Sequence, residues 1–290
     1  MPQRSFGNKG TVVKLKTVFD YASFYTTALK GTSLRLHYLD AFAGSGQIPL
    51  RDDAPLLDGV IEVDELIEGS ARKALSIPYP FDRYVFSDLK ESNTQELLRL
   101  RTTFPKLSDR IEIKTGDARD IVESFCSRLG SHDRALVLLD PFGNQVGWQT
   151  LVTLAETEKV DLWYLFPAWM GVARQVKSTG EILADAAQSI DAMFGPHDWR
   201  TQVVQSKEAL QSDMFEQTAE ETEKIATADS ITRFMIDCMS GIFKGGVSQK
   251  WLPLGRNGRH FYSLLFACAN PSAKAKGLAQ RVAKDIMTRN

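Results

Sequence analysis

The runs ALVLL (135–139) and LWYLF (162–166) are apolar at every position. A strand with one solvated face alternates, so a strand that does not alternate must be covered on both faces, as in the middle of a parallel sheet. Further strand signals stand at Leu34–Leu39, Tyr84–Phe86 and Ile111–Lys114, and the two apolar runs mark strands over Ala135–Leu139 and Asp161–Phe166. Helical patterns lie between them. Ile121, Val122, Phe125, Cys126 and Leu129 follow helical spacing and are closed by Gly130. This alternation predicts an α/β fold, a mostly parallel central sheet with helices on both faces.

Beyond residue 170 the pattern shifts. Residues 175–242 read as a helical insert, whose clearest helix carries Ile231, Phe234, Met235, Cys238, Met239 and Ile242 on one face behind a cap at Asp229 or Ser230. Two strand-like runs, Val247–Leu254 and His260–Ala267, flank the turn-rich GRNG at 255–258, and a last helix is expected from Ser272 to Met287. No repeat, low-complexity tract or linker divides the 290 residues, which suit a single domain over 1–290.

Composition narrows the class. No stretch approaches the ~20 apolar residues of a membrane span, and MPQRSFGNKG at the N-terminus lacks the apolar core of a secretory signal. Cys126, Cys238 and Cys268 are far apart in apolar runs, so they read as free thiols in a reducing cytoplasm, with no disulfide framework and no metal set. The net charge is only −1, yet it is segregated. Arg4, Lys9, Lys14 and Lys16 open the chain without an acid, and residues 241–290 carry nine Lys/Arg against Asp285 alone. Residues 47–70 hold seven acids against Arg51. Segregation of this kind can build one positive face on a neutral protein, which a phosphate backbone requires.

The chemistry gathers where strands end. LHYLDAFAGSG (36–46) runs from a strand ending at Asp40 into a tight loop with Gly44 and Gly46, where a backbone without Cβ lets a ligand lie close. Pro49 stands where a dinucleotide-binding GxGxxG would have its third glycine, and no Tyr-x-x-x-Lys pair follows, so a nicotinamide reductase fits poorly. Asp88 closes the second strand and Asp117 follows the third. Either alone is what a helix cap looks like. Three strand-end acids in register are harder to explain by capping. ALVLLDPFGNQVGW (135–148) sets Asp140 and Pro141 directly after a buried strand, at the rim of any pocket there.

An acid ending the first strand with FAGSG behind it resembles S-adenosylmethionine enzymes. That resemblance implies that Asp40, Phe42, Ala43, Gly44 and Gly46 hold the ligand's amino-acid end. It further implies that Asp88 accepts both ribose hydroxyls as a bidentate pair, with Leu89 beside it at the cofactor, and that Asp117 and Ala118 approach the adenine. Asp140-Pro141-Phe142-Gly143 is similar to the D/N-P-P-Y/F loop of amino-directed methyltransferases, with its aromatic one place early. It also resembles the loop of tRNA guanine-N2 dimethyltransferases. In such loops the carboxylate and the proline carbonyl accept hydrogen bonds from an exocyclic amine and the aromatic stacks on the base.

Taken together, YLDAFAGSG (38–46), FDRYVFSDLK (81–90), ALVLLDPFGNQVGW (135–148), VDLWYLFPAWMGVAR (160–174) and FYSLLFACANP (261–271) resemble the three-Cys-motif partner proteins (TcmP), a bacterial and phage family with a Rossmann-like methyltransferase fold. The resemblance implies an antiparallel C-terminal strand, adenosylmethionine as cofactor, a nucleic-acid substrate (DNA or RNA), and a nearby-encoded partner carrying the three-cysteine motif. The competing expectation is a non-catalytic partner subunit on the same fold.

Asp88 falls 48 residues after Asp40, against about 20 in an uninterrupted βαβ unit. Residues 47–68 are therefore read as an acidic inserted hairpin or lid, repelling phosphate. Trp169 and Arg174, beyond Pro167, are expected to face substrate, as are Arg256 and Arg259. Trp163 and Phe166 fit core packing equally well.

Overall fold

The computed structural model describes residues 6–45, 69–206, 222–256 and 259–290. The proposed acidic lid (47–68) and Gly46 lie outside the described residues, as do Arg4 and the side chains of Lys9 and Arg256. In chain order the elements are α1 (Phe6–Leu29), β1 (Arg35–Asp40), α2 (Ser70–Leu75), β2 (Arg83–Asp88), α3 (Glu91–Leu97), α4 (Arg99–Thr103), β3 (Ile111–Thr115), α5 (Ala118–Cys126), β4 (Asp133–Leu139), α6 (Trp148–Glu156) and β5 (Val160–Phe166). There follow α7 (Ala184–Phe194), β6 (Val204–Ser206), β7 (Thr222–Lys224), α8 (Ala228–Ser240), β8 (Leu252–Arg256), β9 (Arg259–Cys268) and α9 (Ala273–Arg289).

Seven strands form one sheet in the order β3-β2-β1-β4-β5-β9-β8. The first five are parallel, β9 runs antiparallel against β5, and β8 closes the edge antiparallel to β9. Burial explains why ALVLL and LWYLF do not alternate. Leu39, Val137, Leu139 and Tyr164 face a core capped by α5, α6, α7 and α8. Their neighbours Tyr38, Leu136, Leu138 and Trp163 face a second core under α1, α2 and α9. Every residue of β5 is buried, and fully burying each large apolar side chain contributes about 1.5–3 kcal/mol.

Several expectations are corrected in detail. The 175–242 segment is not wholly helical, because the β6–β7 pair lies between α7 and α8. The α8 cap is Thr227, not Asp229 or Ser230: Ser230 stands at the third helical position, and the two hydroxyls reciprocally bond each other's backbone N–H at 3.0 Å. The Val247–Leu254 strand shortens to Leu252–Arg256. Val247 makes only an isolated bridge to Ala267, because the Ser248 hydroxyl bonds the Lys250 carbonyl and N–H and turns the chain first. Lys14 is not part of a solvated basic face; it sits on α1, 8% exposed, in an ion pair with Asp140.

A candidate cofactor and substrate site at the C-terminal sheet edge

The strand order reverses at β1, flanked by β2 on one side and β4 on the other, and ligands in open α/β sheets bind outside the carboxyl ends at such a switch point. Register fixes where the acids stand. Asp40 pairs with Phe86 of β2 and Leu138 of β4, so Asp88 and Asp140 each lie two residues farther out on the strands flanking it, roughly 6–7 Å beyond. Asp40, Asp88 and Asp140 thus share one edge of the sheet, with Asp117 beside them after β3.

Asp40 is fully buried, and its Oδ1 accepts the Phe42 N–H at 3.2 Å. Its Oδ2 has no partner among the described residues. Burial pushes the carboxyl from 3.8 up to about 7; the Ser70 hydroxyl, the Phe42 N–H and the Lys14 ammonium pull it down, and the Asp140 charge adds to the rise. An orphaned, wholly buried carboxylate oxygen costs free energy unless a donor reaches it. Directly after it, the loop folds back through an Ala43 N–H bond to the Ser87 carbonyl at 2.8 Å. Gly44 then adopts φ +60, and no atom of the described residues lies within 4 Å of where a Cβ would stand. A left-handed glycine so placed is a cradle a side chain would fill.

Asp88 is half committed. Its Oδ1 accepts from the Lys90 N–H at 2.8 Å and the Asn93 amide at 2.9 Å, leaving Oδ2 for a ligand instead of the full bidentate pair expected. Leu89 beside it is 64% exposed, unusual for a leucine at a sheet edge. Asp117 caps α5, accepting the Arg119 N–H at 2.8 Å, and is otherwise exposed, with Ala118 half-buried behind it.

The 140–143 loop presents its parts in order. Asp140 Oδ2 is ion-paired with Lys14 of α1, side chains 21% and 11% exposed. Pro141 is buried, while Phe142 is 85% exposed, its N–H donating to Gln145 Oε1 at 2.7 Å. Gly143 follows at φ +83. Asn144 locks the loop to the turn after β5, donating to the Gly171 carbonyl at 2.9 Å. That packing demands glycine, since a Cβ on Gly171 would meet Asn144 Oδ1 at 1.8 Å.

On the substrate side the picture is mixed. Trp169 is partly buried against the core, with Lys224 Nζ 4.7 Å from its ring centroid, so one face is already taken. Arg174 is exposed. Tyr262, a residue the sequence did not single out, is half-buried one residue past the end of β5, since Ser263 pairs with Phe166. Trp163 and Phe166 are pure core. Because Phe166 pairs with Ser263 on the antiparallel β9, residues 259–262 project past the end of β5, and Arg259 is exposed there. His260 braces that projection, Nδ1 on Asp229 at 2.9 Å and Nε2 on Ser263 at 2.8 Å. This is no nucleophilic triad: Ser263 is fully buried and shares its hydroxyl with Thr232 at 2.6 Å.

Sheet order, the antiparallel next-to-last strand and the acids at the switch point define the Rossmann-like methyltransferase fold. No protein-family model and no curated protein matches the chain. Among solved structures, it superposes on protein LPL1258 from Legionella pneumophila str. Philadelphia 1 (family-model DUF519) with a TM-score of 0.55 at 14% identity, over 97% of this chain and 92% of that one. That likeness speaks for the fold alone. Magnesium protoporphyrin IX methyltransferase from Synechocystis PCC 6803 with bound SAH gives a TM-score of 0.39 at 14% identity, covering 92% and 89%. The O-methyltransferase from Bacillus cereus in complex with SAH gives 0.37 at 12%, covering 92% of each. Those two superpositions are too loose to argue from.

Proposed function

We propose that the protein is an S-adenosylmethionine-dependent methyltransferase acting on an exocyclic amine of a nucleic-acid base. The observation that carries the reading is Asp40: fully buried at the switch point, one oxygen without a partner among the described residues, at the start of the loop that carries left-handed Gly44. A cationic amino group is what such an oxygen lacks. In this reading Asp88 Oδ2 takes a ribose hydroxyl, and exposed Leu89 packs on the adenine with Ala118 and Asp117 alongside. The cofactor, when bound, supplies a methyl on a sulfonium. The chain's own part is to hold the acceptor. Asp140 and the Pro141 carbonyl accept the amine's N–H bonds and aim its lone pair, Phe142 stacks on the base, and Arg174 and Arg259 meet phosphate.

Calorimetry on the full chain tests the cofactor half. Adenosylmethionine and adenosylhomocysteine should bind, and Asp88→Ala should weaken both about tenfold, one charge-assisted bond being lost. Binding of NADH with neither of these ligands would overturn the reading. Labelled-methyl transfer to DNA and to total RNA tests the other half. Asp140→Asn should leave ligand affinity nearly intact while transfer falls by roughly 10²–10³. A second reading is a non-catalytic subunit serving a partner protein. It draws support from the Lys14–Asp140 pair, which occupies one acceptor oxygen, and it expects ligand binding with no transfer by the wild type.

A further inference from the structure

Lys14 is the one lysine among the buried polar residues described, and it reaches the loop after β4 from a position 126 residues earlier in the chain. Its ammonium carries three N–H donors, of which one is used on Asp140 Oδ2. Among the described residues no other acceptor meets it, and no donor meets Asp140 Oδ1. The pair is not sealed, as both side chains retain some exposure. Two residues along the chain from Asp140 stands Phe142, 85% exposed.

A spare carboxylate oxygen next to a spare ammonium N–H is an acceptor beside a donor. Its complement is a donor beside an acceptor, which is the edge –N=C–NH2. Adenine offers that edge through its 6-amino group and N1, and cytosine through its 4-amino group and N3. Guanine does not offer it on the Watson–Crick edge, where the 2-amino group adjoins N1–H, a second donor that would face the ammonium. Uracil and thymine have no amine at all. We infer that Lys14 is a specificity-determining residue, and that the Lys14–Asp140 pair selects the amidine edge of adenine or cytosine over guanine. This rests on the amine-directed reading above and turns it away from the guanine chemistry that the Asp-Pro-Phe-Gly loop resembles. A flipped base is read on its Watson–Crick edge while stacked between apolar or aromatic side chains, and Phe142 supplies such a surface.

The test uses fluorescein-labelled nonamers with a single central A, C, G or abasic residue in a thymidine or uridine context, in both sugar series, titrated by anisotropy with adenosylhomocysteine present. The wild type should bind the A or the C nonamer about tenfold more tightly than the G or abasic one, as one charge-assisted bond implies. Replacing the ring acceptor by C–H, as 1-deazaadenine or 3-deazacytosine, should remove that tenfold in the wild type and change nothing in Lys14→Met. Lys14→Arg should keep most of the preference, and it serves as the reporter should Lys14→Met fail to fold. Guanine bound as well as adenine and cytosine, or a preference that survives Lys14→Met, overturns the inference while leaving the amine-directed reading standing. If no nonamer binds while adenosylhomocysteine still does, both fall.

Discussion

Asp40→Asn is the substitution whose effect can be worked furthest from the structure. A carboxyl held near 7 in the fold and near 3.8 in the unfolded chain binds its proton more tightly when folded. Between those values the native state carries more protons, so stability falls as pH rises and levels off above about 7. From pH 5 to pH 8 the loss is roughly 3 kcal/mol, at about 1.4 kcal/mol per tenfold change in proton affinity. Asparagine cannot ionise. It keeps an acceptor for the Phe42 N–H and places an amide where the orphaned oxygen sat, at a cost that does not vary with pH. The variant's stability relative to wild type should therefore improve by roughly 3 kcal/mol between pH 5 and pH 8. In a chain of this size that is a Tm difference growing by roughly 5 °C.

Thermal and urea denaturation of both proteins at half-unit pH steps would measure this. Buried Asp161, whose carboxyl burial also raises, slopes both curves alike and cancels in the difference. Saturating adenosylhomocysteine should flatten the wild-type fall, because its amino group would compensate the ionised carboxylate. Parallel curves for wild type and variant, with no pH-dependent divergence, would refute the idea that Asp40 ionises uncompensated in the empty fold.

Two further outcomes concern the scaffold. Gly171→Ala should cost about 1–3 kcal/mol by overpacking against Asn144, and an Asn144→Ala background should recover part of it in a urea double-mutant cycle. Thr227→Ala should cost about 1 kcal/mol through loss of the α8 cap, with ligand affinity in calorimetry unchanged.

Much of the frame was legible because the relevant physics is local. β1 to β5 fall within two residues of their apolar runs, and the strand-end acids occupy the edge their spacing predicted. Burial on both faces leaves a signature in consecutive residues. What escaped depends on partners distant in sequence or on exchanges between side chain and backbone. The 24-residue helix α1 went unread: Val13, Val18, Phe19, Tyr21 and Tyr25 are β-branched or aromatic, and its basic residues look like a solvated tail. Lys14 acquires meaning only when the fold brings Asp140 to it. Asp117 caps α5, and Asp88 accepts from Lys90 and Asn93 just before α3, each through one oxygen, so spacing alone does not tell a local hydrogen bond from a ligand site. Thr227 was passed over because two stronger-looking caps follow within its own helix.

The charge of the pocket bears on which cofactor class the edge can accept. Asp40 and Asp140 bring two carboxylates to the switch point, and Lys14, which lowers both in energy, is ion-paired with Asp140 alone among the described residues. In a dinucleotide fold the first loop hands the chain at once to a helix whose N-terminal N–H groups hold the pyrophosphate. Among the described residues the next helix in chain order is α2, only six residues long, and it begins at Ser70, whose hydroxyl acts to lower the Asp40 pKa. A pyrophosphate in that place would set further negative charge against an unpaired buried carboxylate. A ligand bearing an ammonium and a sulfonium would instead supply the positive charge that the site is short of. The uncompensated charge on Asp40 therefore favours a cationic amino-acid-bearing nucleoside over NAD on grounds independent of the missing third glycine.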